Sequence, residues 1–176
     1  MPRRKCFISY HHDDESEVLR FIQEFDHTHD SFIARGIGAG MPGDVIQSTD
    51  RDYIMRRVRE TYLRDSTVTI VMIGRCTWAR RYVDWEIAST LRNDARNPRS
   101  GLMGIVLPSA SAAPTAPPRL SDNLAEGYDG RAYAHWYHYP RGVSRLSEMI
   151  ETAYSVRDSV VPNNKRLLFS YNRTCV

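Results

Sequence analysis

Among 176 residues, 24 Lys and Arg stand against 21 Asp and Glu, a net charge of +3 that is too small a surplus for binding driven by counterion release from nucleic-acid phosphates. With 41% hydrophobic and 26% charged residues the composition is that of a soluble globular protein, and no run of about 20 apolar residues predicts a membrane span. The length suits one domain over residues 1–176 with a single core.

The first element is a short strand at residues 5–10, KCFISY, closed by the polar cluster HHDDES. Val18, Leu19, Ile22 and Phe25 then recur at helical spacing, so a helix over 16–26 follows the strand. A second strand fits residues 32–34. After it, residues 36–43 hold glycines and a proline that break any regular element. The next helix spans about 50–64, with Ile54, Val58 and Tyr62 four apart, and with Thr49 and Asp52 spaced as a capping box. Arg56, Arg57, Arg59 and Arg64 read as its solvated face.

Residues 67–74, TVTIVMIG, form the clearest strand: β-branched and apolar on both faces, as in a central strand covered by helices on both sides. A helix containing Tyr82, Trp85 and Glu86 follows it, and GLMGIVLP at 101–108 is a second buried strand. Residues 108–119, rich in Pro, Ala and Ser, predict a loop. AYAHWYHY at 132–139 is strand-like, and Val143, Leu146, Ile150 and Ala153 mark a last amphipathic helix. Beyond about residue 160 the chain continues as an extension that forms a terminal strand or a packed tail.

Alternating strands and helices predict an α/β fold with a parallel sheet, helices on both faces and right-handed crossovers. Ligands in such sheets bind beyond the carboxyl ends of the strands. If the first strand and the 67–73 strand are neighbours, Ser9, Tyr10 and His11 face the start of the Glu86 helix. Tyr82 and Glu86, four apart, share one face of that helix, and Trp85, about 100° away, anchors it to the sheet. A carboxylate at the mouth of a partly apolar cleft keeps its charge while losing hydration, which suits it to a ribose hydroxyl or an oxocarbenium-like centre. The spacing equally allows a surface pair of Glu86 with Arg80, Arg81 or Arg92.

Other constellations are weaker. GIGAG lacks the spacing of a dinucleotide loop and follows the second strand. His27 with His29, or His135 with His138, lack companions that complete a metal site, so no metal is expected. Asp13 and Asp14 resemble the acidic pair of a phosphoacceptor receiver, yet the strand that needs a terminal Asp ends in Ile73 and Gly74. Cys76 has no histidine placed by sequence to activate it as a nucleophile. Cys6, Cys76 and Cys175 are odd in number and far apart, which predicts reduced thiols in a cytoplasmic protein, with Cys6 a small buried hydrophobe.

CFISYHHDD followed by TVTIVMIGRCTWARRYVDWEI resembles the bacterial TIR-like domains to which the TIR proteins of Thoeris anti-phage defence belong. The resemblance covers about residues 5–107 and implies a flavodoxin-like three-layer sandwich. It further implies an NAD-cleaving enzyme that releases nicotinamide and makes a cyclic ADP-ribose type of signal, with Glu86 as the catalytic residue. Phe7, Ser9, Tyr10, His11 and Tyr82 then line the substrate site, Tyr82 standing where many such domains carry Trp. The implied partners are NAD as substrate without any further cofactor, a second copy of the chain completing the pocket, and an effector reached through a diffusible nucleotide. A phage component is the implied trigger; nucleic acid and membrane are not expected. The alternative is a TIR-like protein–protein interaction module without catalysis.

Overall fold

In the computed structural model, residues 3–36, 50, 53, 56–57, 59–95, 98–124 and 132–175 are described. Strand β1 is Arg4–Ser9, followed by helix α1, Glu15–Ile22, which continues into a π-helical turn at Gln23–Thr28. Strand β2 is Phe32–Arg35 and β3 is Val68–Ile73; a second π-helical turn, Arg59–Leu63, lies between them. Helix α2, Arg81–Thr90, leads to β4, Gly101–Val106. The short helix α3, Pro118–Ser121, precedes β5, Ala134–His138, and α4, Val143–Val156. All neighbouring strands are parallel, in the order β2-β1-β3-β4-β5. This is the flavodoxin-like α/β fold, whose strand order reverses between β1 and β3.

The period of two along each strand sorts the core into layers. Cys6 and Ile8 of β1, Ile70 and Met72 of β3, and Met103 and Ile105 of β4 point to one face, where α1 and α4 cover them with Val18, Phe21, Ile22, Leu146 and Ile150. Val71, Ile73, Leu102 and Val106 point to the other, beneath Val83 and Ile87 of α2 and Leu120 of α3. Phe7 and Ser9 share this second parity, so β1 presents them to α2. At Gly101 an added Cβ would sit 2.1 Å from the Ala153 carbonyl oxygen, so glycine lets β4 and α4 approach closely.

Some expectations need correction. Leu19 is 46% exposed, because the buried face of α1 runs through Val18, Phe21 and Ile22. The 108–119 segment contains a 3-10 turn at Pro108–Ala110, and its last two residues open α3, where Pro118 is tolerated in the first turn. Arg59 does not stand in solvent: its guanidinium pairs with Asp94. The capping box at Thr49 and Asp52, the spacing positions Ile54 and Val58, the Tyr62 side chain and residues 37–43 of the glycine loop lie outside the described residues.

The thiol expectation is also overturned. Cys76 and Cys175, 99 positions apart, form a disulfide, and only Cys6 is a free cysteine, buried as expected. The extension folds back along α2, which brings the two sulfurs together; their Cα atoms lie 5.7 Å apart, within ordinary disulfide reach. No described helix is long and apolar enough to cross a membrane.

Candidate active site at the carboxyl edge of the sheet

Ser9 closes β1, and the neighbouring strand β3 feeds through a turn at Thr77–Ala79 into α2. That turn is tied down locally. The Thr77 hydroxyl accepts from the Gly74 amide at 2.9 Å and lies 3.3 Å from an Asp14 carboxylate oxygen. A Cβ added at Gly74 would fall 2.0 Å from the same Asp14 oxygen, so a larger residue there would push the Asp14 carboxylate away from the turn. Asp14 is thus a structural partner of the β3–α2 turn rather than a phosphoacceptor, and burial raises its pKa.

On α2 the side chain of Glu86 turns inward. It is 7% exposed, and Ser9 Oγ donates a 2.6 Å hydrogen bond to its Oε2. Neither Arg80, Arg81 nor Arg92 is its ion-pair partner. Burial pushes the Glu86 carboxyl up to about 8, while the Ser9 hydroxyl works in the opposite direction. In place of the partly hydrated carboxylate expected from spacing stands an enclosed carboxyl, whose neutral form burial favours.

Phe7, like Glu86, is enclosed: it packs with Leu63, Trp85 and Ala88, with Tyr82 at the border of the cluster. Tyr82 stands edge-on to Trp85, ring centroids 5.4 Å apart, with the Arg81 guanidinium over its ring. Trp85 packs toward β1 as expected through Phe7, but its indole NH donates outward to the Phe169 carbonyl at 2.8 Å. Tyr10 points the other way. It borders the core beneath α1 and α4, and its hydroxyl donates to Glu15 at 3.3 Å. Burial first, then Glu15, push its phenol up to about 12.

His11 is 5% exposed with Nε2 2.9 Å from Asp13, and burial followed by the nearby Arg80 charge lowers its pKa. His12 Nε2 reaches the other Asp13 oxygen, also at 2.9 Å. Ligand atoms of His11, His12 and Asp13 lie within 4.8 Å of one another, so these three, rather than the histidine pairs noted in the sequence, are the group among the described residues that could hold a metal ion.

Ser9, Phe7, Tyr82 and Glu86 are thus brought to the α2 face, His11 lies beyond the end of β1, and Tyr10 belongs to the opposite core. Asp84 and Arg119 carry no signal in the sequence. Arg119 is 1% exposed and forms a bidentate pair with Asp84, at 2.8 and 3.1 Å, under the helix that carries Glu86. Arg119 is the last residue of the Pro-rich segment, and no spacing relates it to Asp84. A separate cleft of about 580 Å³ opens at the ends of β4 and β5, lined by Val106, Trp136, Tyr139, Arg141 and Arg145, and contains neither Ser9 nor Glu86.

A parallel 2-1-3-4-5 sheet with a serine and a carboxyl meeting at its switch point defines a flavodoxin-like α/β domain with a candidate ligand site at the carboxyl edge of its strands. Residues 7–112 match the family described as Thoeris protein ThsB, TIR-like domain, and the chain belongs to that family. Membership points to a role in anti-phage defence. No curated protein matches the chain.

Proposed function

We propose that the chain cleaves NAD between nicotinamide and ribose and makes a cyclic ADP-ribose type of nucleotide, which activates a separate effector during phage infection. The observation that supports this reading most is the Ser9–Glu86 pair, a buried carboxyl at the switch point of the sheet, where α/β proteins bind ligands. Nicotinamide leaves from a cationic pyridinium: the bond from C1′ to the ring nitrogen breaks, its electron pair passes to nitrogen, and no proton is needed. What remains is an oxocarbenium-like ribosyl centre, and a carboxylate beside it supplies the opposing charge. Attack by water gives ADP-ribose; attack by the substrate's own adenine or ribose closes a cyclic product.

The raised pKa gives Glu86 a specific part. Burial favours the neutral carboxyl, and the approach of a pyridinium cation favours its ionisation, the proton passing to solvent. The negative charge then forms where positive charge arrives.

One observation favours a second reading, a TIR-like interaction module without catalysis: the carboxyl is enclosed by packed side chains. Purified wild type and Glu86→Gln separate the two. Nicotinamide release by the wild type that is lost in the variant supports the enzyme, and mass spectrometry of lysates after phage challenge identifies the product. Equal turnover in both removes Glu86 from the mechanism, and no turnover in purified protein or in lysates after challenge with several phages favours the interaction module.

A further inference from the structure

The C-terminal extension runs as a strap along α2, the helix that carries Glu86, and is fixed to it stepwise. Asn164 donates to the Ala88 carbonyl at 2.9 Å, and the Phe169 amide donates to Asp84 at 2.9 Å. Asn172 accepts from the Arg81 amide at 3.0 Å, and the Arg173 amide donates to the Ala79 carbonyl at 2.8 Å. The disulfide between Cys76 and Cys175 closes the series. The strap lies outside residues 7–112, so the family match does not account for it.

Its two halves are held differently. The inner half is anchored by Arg119, fully buried, which donates to Asn164 and to the carbonyls of Arg166 and Leu167, and by Asn123, which exchanges two hydrogen bonds with Asn163. The outer half, Asn172 to Thr174, is exposed, and its hydrogen bonds compete with water. There the disulfide is the strongest tie. Its cysteines are only half-buried, whereas Cys6 is wholly buried with its thiol pushed up by burial. At its other end the disulfide holds the 74–80 turn, where Thr77 meets Asp14 and from which Arg80 bears on His11.

We propose that Cys76 and Cys175 are a redox site: oxidised, they latch the strap to the turn that leads into the Glu86 helix, and a dithiol reductant releases the outer strap and loosens that turn. In the releasing step a donor thiolate attacks one sulfur of the disulfide and displaces the other cysteine as a thiolate, which takes up a proton. The donor's second thiolate then attacks the mixed disulfide and frees the remaining cysteine, which is protonated in turn. Two electrons pass from the dithiol, which ends as a disulfide, to the two cysteines. Disulfides exposed to cellular thiols are characteristically of this labile, sensing kind.

The test uses the full chain purified without reductant, then treated or not with dithiothreitol. Denaturation in an alkylating reagent, followed by peptide mass mapping, is expected to label Cys6 alone before reduction and all three cysteines after it. Hydrogen exchange at the Arg173 amide is expected to accelerate by about tenfold or more on reduction, with the 76–81 amides following and those of β3 unchanged. Cys175→Ser is expected to exchange rapidly there with or without reductant. Alkylation of Cys76 and Cys175 in the unreduced chain overturns the proposal, as does equal exchange at Arg173 in the two redox states of the wild type. Neither readout involves NAD, so this inference and the proposed activity fail independently.

Discussion

Ser9 and Glu86, 77 positions apart in the chain, meet through a 2.6 Å hydrogen bond from the serine hydroxyl to the carboxyl, joining the end of β1 to the middle of α2. Two opposing effects act on that carboxyl. Burial disfavours its charged form, the donated hydrogen bond favours it, and burial wins, leaving a group that ionises near pH 8. The pair couples the stability of the fold to the chemistry of the site.

Stability is expected to carry the signature of that raised pKa. The folded chain holds a proton on Glu86 where the unfolded chain, with a carboxyl near its ordinary value of 4.5, has lost it. The contribution is therefore complete below about pH 4.5, falls as pH rises toward 8 and is flat above that, with a limiting slope of about 1.4 kcal/mol per pH unit. Glu86→Gln, which mimics the neutral acid, is expected to match the wild type within about 1 kcal/mol near pH 5 and to exceed it above pH 8. Urea unfolding of both proteins across pH 5 to 9 checks this, and parallel curves would show that the carboxyl is ionised in the folded state.

Turnover is expected to have the opposite pH dependence. Because the charged carboxylate is the active form under the proposed function, kcat/KM for NAD rises with pH toward the free-enzyme value of about 8. Ser9→Ala removes the donor that favours the charge, so its profile is expected to move to higher pH and its activity at pH 7 to fall by about tenfold, the equivalent of one pKa unit. A pH–rate series on both proteins decides it. Uniform loss at every pH without a displaced profile would assign Ser9 to packing instead.

The sequence made the sheet legible because β3 and β4 are fully buried and advertise it with unbroken apolar runs. It also made the Ser9–Glu86 meeting legible, since β1 and β3 pair as the strand-to-helix rhythm implies. The burial of Glu86 was not legible. Spacing within a helix places a residue on a face, but the depth of that face depends on what other elements lay against it, such as Ser9 at the end of β1. Tyr10 shows the same limit in reverse: as the next residue after Ser9 it takes the other parity of β1 and falls toward α1. Asp84–Arg119 and Cys76–Cys175 were hidden because each joins segments without any mutual periodicity.

Gly101→Ala is expected to destabilise the fold without touching the site. The added methyl falls 2.1 Å from a backbone oxygen of α4, which has no rotamer with which to yield. Helix and strand must separate, at a cost of about 1–3 kcal/mol in line with other overpacked cores. Thermal unfolding measures the loss. A variant as stable as the wild type would mean that α4 docks on β4 less closely than described.

Arg119→Ala is expected to be among the most damaging single changes. It leaves Asp84 buried with the Phe169 amide as its remaining hydrogen-bond donor among the described residues and removes the donors that hold the strap at Asn164, Arg166 and Leu167. Breaking one side of a buried ion pair costs about 3–5 kcal/mol, chiefly because the remaining charge is uncompensated. Replacing both partners together, Arg119→Met with Asp84→Leu, is expected to recover much of that loss in urea unfolding, since neither charge is then stranded. The strap would then have lost both Arg119 and the Asp84 acceptor of the Phe169 amide, so the double variant is expected to show rapid hydrogen exchange at Phe169 even where global stability returns. Restored stability with Phe169 still protected would mean that the strap is held by the Trp85 indole and the disulfide rather than by the Asp84–Arg119 pair.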